Sequence, residues 1–243
     1  MKDWRGKRYW IVGASEGLGK ALAEVISRAG ADVILSARSA DKLTLLAQNL
    51  PGRARIIPID VGDSGSVAGA AHAAGDIDGM IFAAGVYWPM RAQDWNAQKA
   101  EAMLDINLIG AARVLGHVVP QFVAKDTGHI VLIGSLSSFG GLPGAIGYAA
   151  SQAGLLSLAQ SLDGDLRHTG IDVQLINPGF IKTRLTDQNT FNMPFLMDPE
   201  RAAQICFDHM NSARFARAFP TGFSLIFRLS RFLPHALYRR LFF

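Results

Sequence analysis

A glycine-rich turn near the N-terminus constrains the fold of this chain more than any other feature. Its sequence, Gly13-Ala-Ser-Glu-Gly-Leu-Gly19, follows the apolar run Tyr9–Val12 and precedes Leu18–Ala29, where apolar residues recur at helical spacing. A turn of this kind, joining a strand to a helix, lets the backbone approach a pyrophosphate, whose charge then meets the free N–H groups of the helix. We therefore expect a nucleotide to bind here, although a glycine cluster alone also forms ordinary tight turns.

The alternation of short apolar strands and helical segments continues along the chain without a linker. Further strands are predicted at Asp32–Ser36, Ala54–Ile59, Ile77–Ala83, Ile130–Ile133 and Asp172–Asn177. The pattern predicts an α/β fold, a single Rossmann-type doubly wound parallel sheet with helices on both faces. We place residues 1–212 in this domain and residues 213–243 in a C-terminal extension.

A hydroxyl and a phenol are predicted at the ligand-binding edge of this sheet. Ser135 follows the strand Ile130–Ile133, and Tyr148 precedes the helical pattern Ala153–Leu166. Here the chain resembles the short-chain dehydrogenase/reductase family, whose reaction centre is a Ser, a Tyr about a dozen residues later and a Lys four residues after that. Ser135 and Tyr148 match, but Gln152 occupies the Lys position. The resemblance covers about residues 8–185.

The resemblance implies a nicotinamide cofactor bound by the motifs that follow the strands. The positions that correspond to the family's cofactor-binding residues are Gly13, Ser15, Gly17, Leu18, Gly19, Asp60, Val61, Ala84, Gly85, Tyr148, Gln152, Pro178, Gly179 and Thr183. Val12 and Ala83 stand where the family has Thr and Asn. Asp60 would bond the adenine amino group, or it starts a turn or caps the helix from Ser64.

The residues after the second strand favour NADP(H) over NAD. An acid about twenty residues past the glycine turn would accept the ribose hydroxyls of NAD, whereas Arg there accommodates the 2′-phosphate of NADP. Ala37 lacks the acid and Arg38 supplies the cation. A solvated surface Arg is the alternative, and Glu16 argues against NADP because many family members that prefer it have a basic residue there.

The resemblance also implies a mechanism. Tyr148 would donate a proton to a carbonyl oxygen held by Ser135, and Asn107, within the helical pattern Ala100–Ala124, would hold a water that relays protons toward the Lys. Gln152 carries no charge to stabilise a phenolate. We therefore expect an NADPH-dependent carbonyl reductase weakened in the oxidative direction. The alternative is a catalytically silent NADP(H)-binding protein, a regulatory or membrane-surface module.

Two apolar segments bear on the substrate. Val86–Met90 and Thr190–Met197 are apolar for loops, the second being typical of a substrate lid, and they indicate a nonpolar carbonyl or alcohol substrate. Either segment could instead simply pack on the domain. No metal site is predicted, because the six His lie apart without ligand spacing.

The net charge of +4 is concentrated in the C-terminal extension. Residues 213–243 contain six Arg and no acid, which leaves 18 basic against 20 acidic residues elsewhere. A basic nucleic-acid-binding surface on the domain is therefore not expected. The sequence predicts an edge strand at Arg214–Phe219. It predicts a basic amphipathic helix at Gly222–Phe243, which Pro234 breaks or kinks.

The extension has two interpretations. Such a helix can lie in a membrane interface, or it packs on the domain or against a second subunit as in a homodimer. Its longest uncharged run, Ala218–Phe227, is too short to span a bilayer. The single Cys206 and the absence of a signal-peptide core predict a cytoplasmic protein, at the inner face of a membrane if the helix binds lipid.

Overall fold

A seven-stranded parallel sheet forms the centre of the molecule in the computed structural model, which describes residues 2–242. The strand order is β3-β2-β1-β4-β5-β6-β7. The strands are β1 Arg8–Val12, β2 Asp32–Ser36, β3 Ala54–Ile56, β4 Gly79–Phe82, β5 Gly128–Ile133, β6 Ile171–Pro178 and β7 Ala216–Phe219. This order, with helices on both faces, is the doubly wound α/β fold that the sequence predicts.

The helices account for most of the remaining chain. They are α1 Gly17–Arg28, α2 Ala40–Gln48, α3 Ser64–Ala74, α4 Ala97–Leu104, α5 Gly110–Lys125, α6 Ile146–Leu166, α7 Pro199–Met210, α8 Thr221–Ser230 and α9 His235–Phe242. The largest difference from the sequence prediction is α6, which begins at Ile146 instead of Ala153. The earlier start places Tyr148 inside the first turn of the helix.

Both faces of the sheet are covered, which explains why the central strands β1, β4 and β5 are mostly apolar. Side chains alternate along β1, so that Trp10 and Val12 join one core while Tyr9 and Ile11 join the other. The first core includes residues of α3, α5 and α6, and the second includes residues of α1, α2 and α7. The carboxyl ends of the strands are left facing one edge, where the glycine turn begins.

A π-helical turn, Asp105–Ile109, joins α4 to α5. It directs Asn107 into the interior, where the side chain is buried. By length and composition alone, residues 97–125 form one helical stretch apolar enough to cross a membrane. Because Val114, Val118 and Phe122 are buried in the core against the sheet, this stretch is a core helix of the domain.

The C-terminal extension contributes a strand and two helices. β7 pairs in parallel with β6 at the sheet edge, as expected for an edge strand. The predicted helix is divided at Pro234 into α8 and α9. Met1 and Phe243, which the sequence analysis includes in the domain and in the tail, lie outside the described residues.

A buried polar network lies at the opposite edge of the sheet. The Tyr9 hydroxyl bonds His129 Nδ1 at 2.8 Å, and His129 Nε2 bonds Gln174 Oε1 at 2.9 Å. Gln174 Nε2 donates to three backbone carbonyls between His209 and Arg214. Burial lowers the pKa of His129 from 6.5 to about 3, so the ring is neutral in the folded protein.

This depressed pKa makes folding stability depend on pH. Below pH 6.5 the unfolded chain binds a proton at His129 that the native state does not bind, so stability is complete above that pH and falls as the pH drops. We expect His129 alone to cost about 2 kcal/mol of unfolding free energy at pH 5. Urea unfolding at pH 7.5 and 5 measures the loss.

Two variants identify the source of the pH dependence. His129→Gln should be less stable at pH 7.5 but should lose less further stability at pH 5 than the unmodified protein. His168→Gln removes an exposed histidine and should keep the full pH dependence. An unchanged pH dependence in His129→Gln would contradict the assignment.

Candidate active site

A cleft at the carboxyl edge of the sheet brings together every residue that the sequence assigned to the cofactor. It is lined by Gly13, Ser15, Gly17, Leu18, Gly19, Arg38, Asp60, Val61, Ala84, Gly85, Tyr148, Gln152, Pro178, Gly179 and Thr183. Ser135 also lines it. These residues come from six segments, one at the carboxyl end of each strand from β1 to β6, so their convergence is a consequence of the parallel sheet. Their individual roles stay predictions.

The glycine turn is packed too closely for other residues. Gly13 has φ +98°, and a Cβ there would overlap the backbone nitrogen of Ala84. A Cβ on Gly19 would overlap the carbonyl oxygen of Gly13, and one on Gly17 would lie 2.9 Å from Thr183 Cγ2. Glu16, at the N-terminus of α1, makes no side-chain cap. The turn therefore offers a close backbone and uncapped helix N–H groups, which fit a pyrophosphate.

A cluster of charges lies at one end of the cleft. Glu16 accepts hydrogen bonds from Lys42 Nζ at 2.7 Å and from Arg184 Nε at 2.6 Å. Partial burial would raise the pKa of Glu16, but the bonds and charges of Lys42 and Arg184 outweigh it and hold the pKa below its usual value. Arg38 lies exposed beside them and pairs with no acid among the described residues. The end is therefore cationic overall.

Sequence reasoning missed Lys42 and Arg184. Lys42 comes four residues after Arg38, and Arg184 directly follows the matched Thr183. These positions were the only signals available, because the pairing of both residues with Glu16 joins segments far apart in the chain.

Asp60 organises the turn after β3. Its Oδ1 accepts from Gly62 N at 2.9 Å, and its own backbone N–H bonds Ser66 Oγ at 2.9 Å. Asp63, not Asp60, caps α3. The alternative of a helix cap at Asp60 is therefore wrong, while the turn and the position beside the cleft are both observed.

Ser135 and Tyr148 form the polar centre of the cleft. Ser135 accepts a bond from Ser137 N at 3.1 Å, and its hydroxyl lies within hydrogen-bonding range of the Tyr148 phenol. Burial raises the pKa of Tyr148, and the Ser135 hydroxyl offsets part of that rise. Among the described residues no cation contributes to this pKa. Tyr148 is therefore a neutral phenol at physiological pH.

Gln152 lies one helical turn after Tyr148 and also lines the cleft. Only 5% of the residue is exposed, yet its buried Oε1 has no hydrogen-bond partner among the described residues. An unpaired buried acceptor costs about 1–3 kcal/mol. This acceptor fits a ligand that donates a hydroxyl, as a ribose does.

Asn107 does not line the cleft. Its Oδ1 accepts from Val86 N at 2.8 Å, and its Nδ2 donates to Val86 O and to Ser151 Oγ, each at 3.0 Å. Asn107 therefore joins the loop after β4 to α6, which carries Tyr148. The proton-relaying water that the resemblance implies stays a prediction.

The two apolar segments occupy different places. Tyr87 packs edge-on against Tyr148, with ring centroids 4.9 Å apart, and Val86–Met90 joins a small cluster around Met103. This segment therefore packs on the domain and covers the phenol at the same time. In Thr190–Met197, Phe191 and Phe195 are exposed and contact Phe180 and Phe223 respectively. Residues 2–242 contain no metal-ligand cluster.

The sequence is similar to short-chain oxidoreductases. A sequence profile described as "short chain dehydrogenase" matches residues 7–193. An uncharacterized oxidoreductase of Myxococcus xanthus is 34% identical over 235 residues, covering 94% of this chain and 93% of that protein.

Solved structures share the fold. A short-chain dehydrogenase from Sphingobium yanoikuyae in complex with NADPH superimposes with a TM-score of 0.82 at 25% identity, over 88% of each chain. A short chain dehydrogenase/reductase from Burkholderia phymatum in complex with NAD gives 0.86 at 21% identity, over 95% of this chain and 94% of that one. The second likeness concerns the fold alone.

The contact between Gly17 and Thr183 can be tested by substitution. Gly17→Ala places a side chain at φ +57° against Thr183 Cγ2, so we expect a loss of about 1–2 kcal/mol of unfolding free energy from the backbone alone, with more from the contact. Adding Thr183→Ser removes Cγ2 and should recover only the contact part. Denaturant unfolding measures the free energy of unfolding of the unmodified protein, Gly17→Ala and the double variant.

Gly116→Ala is the matched control. A Cβ at Gly116 meets no atom within 4 Å, and this helical position should gain about 0.5–1 kcal/mol. Equal stability of Gly17→Ala and the unmodified protein would contradict the close packing of the turn.

Proposed function

Since this chain belongs to the short chain dehydrogenase family, we propose that it is an NADPH-dependent carbonyl reductase that converts an apolar ketone or aldehyde to an alcohol. The observation that carries this proposal is the neutral Tyr148 phenol beside the Ser135 hydroxyl, in the cleft that begins at the glycine turn. The proposed location is the cytoplasm, and the proposed assembly is a homodimer.

Different residues of the cleft would hold different parts of the cofactor. Gly13, Gly17 and Gly19 allow the pyrophosphate to approach the start of α1. The unpaired Gln152 oxygen would accept a ribose hydroxyl. Pro178, Gly179 and Thr183 would hold the nicotinamide end. When bound, the cofactor supplies the hydride that the carbonyl carbon accepts.

The chain's own contribution is the proton. Ser135 would hold the carbonyl oxygen by hydrogen bond while Tyr148 transfers its phenolic proton to that oxygen, and solvent then reprotonates Tyr148. A phenol that begins protonated needs no prior ionisation to act as an acid. Alcohol oxidation requires a phenolate, and each pKa unit that is not lowered forgoes about 1.4 kcal/mol of its stabilisation. Gln152 therefore favours reduction.

The preference for NADPH rests on the charged end of the cleft. Arg38 is free of acidic partners among the described residues and can meet a 2′-phosphate. Lys42 lies beside it but pairs with Glu16. The Sphingobium yanoikuyae protein, with the same fold, is described with NADPH.

A second candidate is a catalytically silent NADP(H)-binding protein. The observation that favours it is Gln152, which leaves Tyr148 without a cation and removes the terminus of the expected relay. The hydroxyl pair opposes it, because a pure binding module has no use for Ser135 and Tyr148 held together in this cleft.

Kinetics over a range of pH separate the two candidates. We expect carbonyl reduction with NADPH to be independent of pH from about 6 to 9, because the raised pKa keeps Tyr148 protonated throughout. Gln152→Lys lowers that pKa, so reduction should decline at alkaline pH while alcohol oxidation rises about tenfold or more. NADPH consumption over a panel of apolar ketones and aldehydes provides the measurement.

Two control variants accompany this experiment. Tyr148→Phe should lose about a hundredfold or more of the reductase activity while still binding NADPH. Gln152→Met keeps a side chain of similar length without an amide, and should weaken cofactor binding without changing the pH profile. If only the Lys form turns over carbonyls, the silent binding protein is the correct description.

The role of Glu16 yields a separate prediction. Glu16→Gln removes the carboxylate that pairs with Lys42 and Arg184, so both cations become free to meet a 2′-phosphate. We expect NADPH to bind several-fold more tightly and NADH to bind unchanged. Fluorescence titration with each cofactor measures this.

Arg38→Ala should have the opposite effect, a loss of about tenfold for NADPH alone. Glu24→Gln is the matched control, since Glu24 pairs with Lys20 outside the cleft residues. Equal shifts for both cofactors would rule out recognition of the 2′-phosphate at this end.

A further inference from the structure

Helix α8 buries two serines while it exposes three large apolar residues, the reverse of the usual arrangement for these residue types. Ser224 and Ser230 are buried, and their hydroxyls donate to the backbone carbonyls of Thr221 and Phe227 at 2.8 and 2.7 Å. Leu225, Ile226 and Leu229 lie on the outer face, where Leu229 is 60% exposed. A surface helix in water normally directs its apolar residues inward. The reversal indicates that the outer face meets an apolar environment.

The same exposure continues over neighbouring segments. Phe232, in the connection between α8 and α9, is 84% exposed, and Leu241 on α9 is 67% exposed. In the segment 190–197, Phe195 is 65% exposed. We define the apolar face as Phe191, Phe195, Leu196, Leu225, Ile226, Leu229, Phe232, Leu237 and Leu241. An exposed apolar set of this size marks an interaction surface.

Aromatic contacts beneath this surface join its parts. Phe195 contacts Phe223 with ring centroids 5.5 Å apart, Phe223 contacts Phe227 at 5.0 Å, and Phe227 contacts Phe242 at 5.8 Å. Phe242 in turn stacks on Tyr238 at 4.7 Å. The segment 190–197, α8 and α9 therefore pack as one body, and their exposed residues form one surface.

Unpaired positive charge lies on the same two helices and their connection. Arg228, Arg231, Arg239 and Arg240 are exposed, and none of them pairs with an acid among residues 2–242. The chain from residue 213 onward contains no acid at all. An anionic lipid surface offers an apolar phase to the exposed apolar residues and negative charge to the unpaired arginines. A second copy of the same face would instead bring like charges together.

We propose that the apolar face, with its four arginines, docks this protein on an anionic lipid bilayer. The apolar side chains enter the boundary between headgroups and acyl chains, while the guanidinium groups contact lipid phosphates. α8 is ten residues long and α9 eight, so neither can span the bilayer. The contact is therefore peripheral, reversible and sensitive to salt.

The docked surface would lie beside the catalytic segment. Tyr238 donates to the carbonyl oxygen of Gly141 at 2.6 Å, and Gly141 belongs to the loop between Ser135 and Tyr148. α8 also packs against the short helix Leu136–Phe139 that follows Ser135. The proposal stands independently of the reductase activity, because it concerns binding alone.

Vesicle sedimentation of the full chain tests the proposal. We expect little binding to phosphatidylcholine vesicles and about tenfold or more tighter binding when phosphatidylglycerol forms about a third of the lipid. Salt at about 0.5 M should weaken the binding, because it screens the arginines. Equal binding to both vesicle types, or none to either, would overturn the proposal.

Paired variants test each half of the surface. Arg239→Gln with Arg240→Gln should reduce binding to anionic vesicles about tenfold, as should Leu229→Ser with Phe232→Ser. Arg53→Gln with Arg201→Gln removes the same charge elsewhere, and Leu45→Ser removes an exposed apolar residue elsewhere, so neither should change binding. NADPH affinity and thermal unfolding show that each variant is folded.

Size-exclusion chromatography without lipid tests whether a second copy of the chain covers the apolar face instead. The proposal requires the same elution volume for the unmodified protein and Leu229→Ser with Phe232→Ser. A dimer that dissociates in this variant would show that a second copy covers the apolar face, and would overturn the proposal.

Discussion

The contact between the glycine turn and the end of β4 is the constraint on which the cleft depends. Because no side chain can stand at Gly13 or Gly19, Gly13 lies directly against the backbone of Ala84 and the first turn of α1 lies directly against Gly13. This closeness brings the uncapped end of the helix to the edge of the sheet, where the loops after four other strands also converge. Positions that are distant in the chain thus become neighbours around one ligand-sized space.

Within that space, charge and neutrality are divided between the two ends. The end near Arg38 carries exposed cations around the carboxylate of Glu16, which suits a phosphate. The end near Tyr148 is shielded, and the phenol stays protonated because no cation opposes the effect of burial. Gln152 has two effects at this end. Its amide carries no charge that would lower the pKa of the phenol, and its side-chain oxygen is an unpaired acceptor in the cleft. In the proposed reaction, Gln152 would therefore favour carbonyl reduction over alcohol oxidation.

The sequence predicted the sheet and the lining of the cleft well, because continuous apolar strands and glycine spacing are local signals. It missed the start of α6, where buried Gly147, Ser151 and Gln152 interrupt the apolar pattern and tertiary packing forms the helix. It also missed the pairing of Lys42 and Arg184 with Glu16, which no local pattern encodes. The amphipathic pattern of α8 was visible in the sequence, but the pattern alone does not show which face of the helix packs on the domain. The burial of Ser224 identifies that face.

The lengths and endings of the outermost strands have a consequence for how the molecule behaves at high concentration. β3 has three residues and β7 has four, whereas β5 and β6 have six and eight. β7 also carries Arg217 and is followed directly by Pro220, which has no amide hydrogen to offer an incoming strand. Short, charged, proline-terminated edges discourage the addition of further strands. The sheet is therefore protected against edge-to-edge aggregation, even though one surface of the same C-terminal segment is strongly apolar.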